Sequence, residues 1–65
     1  MKKLNPLDQI VLELAIEDFK DNKLELHEVT KALSNYESNE YDTSQYRFLL
    51  EQELAHRYHD LRDKH

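Results

Sequence analysis

The 65-residue chain contains no cysteine, no glycine, no tryptophan and a single proline. Without cysteine it has no disulfides, no thiolate nucleophile and no Cys-based zinc site. Without glycine it lacks the loops that cradle phosphate groups, and it lacks the residue that two-residue hairpin turns favour at positive φ. A β-rich fold is therefore not expected. Basic residues are also in deficit, with nine Lys or Arg against 14 Asp or Glu, a formal net charge of -5.

Sixty-five residues allow one small domain, and a chain of this size buries only about 60% of the surface that its unfolded form exposes. Hydrophobic residues make up 38% and charged residues 35%, too polar for a membrane span but sufficient for a small core. Met1, Lys2 and Lys3 are followed at once by Asn5, Pro6 and Asp8, unlike the apolar stretch of a signal peptide. A folded, soluble, cytoplasmic protein is the expectation.

Three helical segments organise residues 1–65 as a single all-α domain, a small three-helix bundle, monomeric or dimeric. Asn5-Pro6-Leu7-Asp8 opens the first, with Asn suited to the cap, Pro preset for the first turn and Asp8 near the positive end of the helix dipole. The pattern predicts helices over about 6–21, 25–36 and 44–62. Leu24 is placed to staple against Val29, and Glu28 to reach back to the start of the second helix. Leu26, Val29, Leu33 and Tyr36 form its inward stripe. The stretch from Ser34 to Thr43 reads as the end of that helix and a loop. Asp42 or Thr43 caps the third helix, and Asp42 and Gln45 have the spacing of a capping box. Tyr46, Leu50, Leu54, Tyr58 and Leu61 make its inward stripe, with Phe48 and Ala55 on another side.

The first helix carries two apolar faces. At 100° per residue Leu7, Ile10, Val11 and Leu14 share one, while Leu12, Ile16 and Phe19 share another roughly 150° away. The first set is expected to meet the other two helices. Leu12, Ile16 and Phe19 are then surplus, and either the core wraps around them or they dock another chain together with Phe48. Tyr36 and Tyr41, beside the polar loop, suit the same role, because tyrosine offers large contact area at small rotamer cost.

Signals for chemistry are sparse. Glu53 and His56 make one E-x-x-H, the spacing of di-iron carboxylate bundles, which need a second copy and further carboxylates from facing helices. With Asp60 they also form an ordinary solvated polar row. His56, His59 and His65 crowd the C-terminal stretch, where imidazolium is favourable and titrates near neutrality, and His27 stands alone beside Glu28. Ser34, Ser38, Thr43 and Ser44 come with no recognisable base and orienting group. No catalytic residue, no metal site and no cofactor are expected.

The segment LELHEVTKAL resembles the first helix of helix-turn-helix domains in its apolar and acidic positions. A recognition helix should follow after three or four residues, whereas the connection from Tyr36 to Asp42 is longer. Lys2, Lys3, Lys20, Lys23 and Lys31 are dispersed among acids, so the phosphate-neutralising stripe that gives DNA affinity is missing. Arg47, Arg57, Arg62 and Lys64 alone could supply a basic edge. A helix-turn-helix-like transcription regulator is the second reading.

Leu7-Asp8-Gln9, together with Tyr46-Arg47-Phe48-Leu49-Leu50-Glu51 and Ala55-His56-Arg57, resembles the theta subunit of bacterial replicative DNA polymerases. That resemblance implies a three-helix accessory subunit that binds a proofreading exonuclease. The chain departs from the pattern in its second helix, in lacking a proline before it and in its more acidic balance, and no binding residue is transferred.

The reading that unites these features is a small acidic, non-catalytic protein acting by protein–protein binding, as an accessory subunit, adaptor or inhibitor of a larger enzyme, with nucleic-acid-processing enzymes among the candidates. Its size suits a phage or mobile-element product. Leu12, Ile16 and Phe19 are the expected anchor. Glu13, Glu17, Asp18 and Asp21 would steer toward a basic partner surface, and such an acidic face would compete with DNA for an enzyme's groove. Self-association is the other use of the same face.

Overall fold

A computed structural model describes the backbone of residues 2–63 and the side chains of residues 2–60. Met1, the side chains of Leu61 and Arg62, and residues Lys64 and His65, which the sequence reading used, lie outside the described residues. Three helices follow one another, α1 (Pro6–Lys20), α2 (Leu26–Ser38) and α3 (Ser44–Asp63), and α1 packs on both of the others. The protein is an all-α three-helix bundle. Among the described residues no helix is long and apolar enough to cross a membrane.

Each helix start has a local cause. The Asn5 side chain accepts from the Asp8 backbone N–H at 2.8 Å, and Pro6 occupies the first helical position, where a missing N–H costs nothing. Before α2 the Glu28 carboxylate reaches back to the Glu25 N–H at 3.3 Å, and Leu24 is packed against the core that contains Val29. At α3 the two candidate cap residues divide the work. The Thr43 carbonyl accepts from the Arg47 N–H at 2.9 Å, which makes Thr43 the cap, while Asp42 one position earlier accepts from the Ser44 N–H and hydroxyl at 3.0 and 2.8 Å. Those two donors hold the Asp42 carboxyl below its ordinary range.

The helix ends show how a chain without glycine stops a helix. Asn22 and Glu40 take the left-handed conformation, at φ 62° and 68°. After α1, Lys23 N–H donates to the Asp18 carbonyl at 2.8 Å and Asn22 N–H to Phe19 at 3.1 Å; after α2, Tyr41 N–H donates to Tyr36 and Glu40 N–H to Glu37, both at 3.0 Å. Both ends are Schellman motifs. The second carries the apolar contact such ends favour, as the Tyr36 and Tyr41 rings meet edge to face with centroids 5.9 Å apart. Helix α2 thus continues through Ser38, two residues beyond the expected end, because these bonds satisfy its last carbonyls.

Leu4, Leu12, Ile16, Phe19, Val29, Leu33, Tyr46 and Leu50 form the core. The stripes of α2 and α3 are as expected at their centres and fail at their ends. Leu26, the first residue of α2, is exposed, and Tyr58 is exposed because α3 runs on past the body of the bundle. Along α3 burial is complete at Tyr46 and Leu50, partial at Leu54 and lost at Tyr58. The N-terminal arm closes the other end: Lys2 N–H donates to the Glu40 carbonyl and the Asp42 N–H to the Lys2 carbonyl, both at 2.8 Å, a single parallel bridge beside Tyr41. Leu4 follows it into the core.

Candidate interaction face

The two faces of α1 are reversed from expectation. Leu12, Ile16 and Phe19, proposed from the sequence as a docking anchor, are the buried contribution of α1 to the core. Leu7, Ile10, Val11 and Leu14, proposed as core, point outward and are 69, 52, 47 and 57% exposed. The reason lies in what shares each face. Projected at 100° per residue, Asp18 and Asp21 fall within the arc of Leu7, Ile10, Val11 and Leu14, so turning that arc inward would bury two carboxylates without partners, at high cost. The arc of Leu12, Ile16 and Phe19 stays apolar to the end of the helix and includes the one aromatic ring on α1. The other possibility, that the bundle covers both faces of α1, is also not the arrangement found.

Phe19 is fixed by α3. The Arg57 guanidinium lies 4.0 Å from the Phe19 ring centroid, and its Nη2 donates to the Phe19 carbonyl at 2.6 Å and to Asn22 Oδ1 at 3.3 Å, while Nε reaches Glu53 at 3.3 Å. One cation therefore covers the ring, meets the negative end of the α1 dipole and pairs with a carboxylate.

The remaining expected site residues gather elsewhere. Tyr36 is half-buried and its hydroxyl donates to Asp8 at 2.9 Å, which raises its pKa. Tyr41, also half-buried, packs on Tyr36 with the Lys2 ammonium 5.7 Å from its ring centroid. Phe48 is 57% exposed and shares with Tyr41 an open groove of about 490 Å³ between the end of α2 and the start of α3. Tyr41 and Phe48 are thus neighbours, but they are not assembled with Leu12, Ile16 and Phe19.

One polar cluster escaped the sequence reading. Arg47 donates to both oxygens of Glu37, from Nε and Nη2, each at 2.7 Å, and the buried Thr43 hydroxyl donates to the same carboxylate. Arg47 first, and Thr43 after it, pull the Glu37 pKa from its ordinary 4.5 to about 2. Ten residues separate the pair across a turn, so no helical spacing announced it. The pair is more than one-third exposed on both sides and serves as a brace between α2 and α3.

The E-x-x-H residues turn to different partners, Glu53 to Arg57, and His56 to Asp60 at 3.6 Å. Among the described residues no three His, Asp or Glu side chains converge as metal ligands would. Both described arginines of the supposed basic edge, Arg47 and Arg57, are engaged within the fold.

Comparison with protein-family profiles, curated proteins and solved structures finds no match for this chain.

Proposed function

We propose that the protein is a non-catalytic binding module, an accessory or adaptor-type chain that docks another protein through the outward face of α1. The observation that carries this reading is the row Leu7, Ile10, Val11 and Leu14, four large aliphatic side chains about half or more exposed on one helical face. A helix apolar on both faces is characteristically buried on both, and a contiguous exposed aliphatic patch marks an interaction site more often than chance. Glu17, Asp18 and Asp21 follow the row at the C-terminal end of α1, so the face is apolar at its centre and acidic at one end. That polarity favours a docked chain with basic groups at the matching end. The row takes over the anchoring role first assigned to Leu12, Ile16 and Phe19.

The test compares the full chain with its Ile10→Asp variant as baits in extract of the native host, with copies of the chain itself counted among the possible captures. Capture of a defined chain by the parent and its loss with Ile10→Asp, at unchanged helical circular dichroism, is the expected result. A folded variant that captures the same set as the parent overturns the reading.

A further inference from the structure

We propose that the open groove between the end of α2 and the start of α3 is a second docking site, independent of the outward face of α1, and that it takes an arginine side chain from an extended segment of another protein, with the guanidinium stacked on Phe48 and paired with Glu51. The first observation is a ring and a carboxylate that the fold does not use. Phe48 is 57% exposed and lies off the inward stripe of Tyr46, Leu50 and Leu54, and among the described residues neither a ring nor a cation is stacked on it. Glu51 lines the same groove three residues further along α3, on the same helical face. It is exposed, and its carboxylate has no hydrogen-bond or salt-bridge partner among the described residues.

The second observation is the sign of the charge left over. Glu37, Asp42 and Glu51 line the groove with Arg47 as their one cation. Arg47 donates to both oxygens of Glu37, so that pair cancels and the charges of Asp42 and Glu51 remain. The Asp42 carboxyl, held below its ordinary range by Ser44, is ionised at neutral pH. Lys2, the cation placed over Tyr41 at the wall of the groove, stands 5.7 Å from that ring centroid and leaves Phe48 uncovered. Along the chain, negative charge thus stands on either side of Phe48. An anionic segment is repelled from such a groove, and a purely apolar one would take water from the carboxylates without replacing it. A cationic segment satisfies them.

The third observation selects arginine among cations. The protein contains the same recognition built from its own residues: the Arg57 guanidinium covers the Phe19 ring at 4.0 Å while its Nε reaches Glu53 at 3.3 Å. Phe48 and Glu51 offer that pair of groups, a ring face and a carboxylate, to a guanidinium from outside. A planar guanidinium stacks and presents its fork at once, which an ammonium cannot do. The groove, about 490 Å³, is within the range of about 300–1,000 Å³ found for ligand pockets, which leaves room for the residues that flank the arginine.

The test is an amide chemical-shift titration of the full chain with the peptide acetyl-Ala-Arg-Ala-Arg-Ala-amide, alongside its lysine and glutamate counterparts. The expected result is a saturable shift centred on Tyr41, Ser44, Phe48 and Glu51 with the arginine peptide, a weaker one with lysine and none with glutamate. Phe48→Ala and Glu51→Gln, both at exposed positions and read at unchanged helical circular dichroism, should each weaken binding by about three- to fivefold. Glu17→Gln, which removes a carboxylate far from the groove, and Ile10→Asp should leave it unchanged. No shift at millimolar peptide, shifts spread over all the acids, or equal losses in Glu17→Gln and Glu51→Gln overturn the proposal. Binding that survives Phe48→Ala but is lost with Ile10→Asp moves the arginine to α1, which overturns the groove and leaves the reading of the α1 face standing. Binding in the groove by a chain whose α1 face captures nothing supports the groove alone.

Discussion

Arg57 Nη2 donates to the Phe19 carbonyl at 2.6 Å while its guanidinium plane covers the Phe19 ring at 4.0 Å. A single side chain of α3 thus fastens both the backbone and the side chain of the last turn of α1. A charged hydrogen bond and a cation–π contact together set the scale: Arg57→Ala is expected to destabilise the protein by about 2 kcal/mol. Arg57→Lys should recover less than half, because an ammonium cannot stack on the ring and present a fork to the carbonyl at once. Urea unfolding followed by circular dichroism of the three proteins measures both effects.

The reversal of α1 makes two isoleucines behave in opposite ways. Ile16→Ala should cost about 2–4 kcal/mol, as emptying a buried aliphatic site does, and Ile16→Asp should leave the chain unfolded. Ile10→Ala should change the stability of the isolated bundle by no more than about 0.5 kcal/mol. Because self-association through the exposed face would add its own stability, the comparison is made at the lowest concentration that thermal circular dichroism allows.

Glu37 provides an acid-sensitive brace. Its carboxyl has a lower pKa folded, about 2, than its ordinary 4.5. Its contribution is therefore present above about pH 4.5 and is lost as pH falls from there through about 2. Solvent screening of a pair that is more than one-third exposed limits the effect to about 1 kcal/mol. Stability measured at pH 6 and pH 3 should fall less in Glu37→Gln than in the parent, by a little over half of that amount, because pH 3 still lies above the folded value. Equal losses in the two proteins would show that the brace contributes nothing.

Glu40 holds a left-handed backbone at φ 68° with a side chain exposed to solvent. An L-residue with a β-carbon is disfavoured there by roughly 1–2 kcal/mol, part of which glycine returns as unfolded-state entropy. Glu40→Gly is expected to stabilise the protein by about 1 kcal/mol and to raise the melting temperature by roughly 4–8 °C. Asn22→Gly should help less, since Asn tolerates that conformation and Asn22 Oδ1 also accepts from Arg57.

Local signals in the sequence carried over well to the structure. Asn5 and Pro6 start α1, Glu28 reaches back at α2, and Val29, Leu33, Tyr46 and Leu50 face inward, because caps and short stripes depend on neighbours within a turn. The inward face of α1 was legible too, but in the acids rather than the apolar residues. Apolar periodicity alone cannot rank two stripes, whereas Asp18 and Asp21 mark the face that has to remain in water. Glu37 with Arg47 and Arg57 with Phe19 were not legible. Each joins two helices across a turn, and no spacing within one element reports such a contact. Tyr58 was misplaced because an amphipathic pattern does not say where the neighbouring helices end.

The two hydrogen bonds of Lys2 close the chain into a ring that encloses α1 and α2. Helical turns form from near neighbours, whereas this closure joins residues separated by two whole helices and gains nothing until both are in place. The arm is therefore expected to dock last on folding and to lift first on unfolding. Weakening it is then expected to quicken unfolding while leaving the rate of folding almost untouched, which would make the strand-like contact of an all-helical protein its kinetic latch.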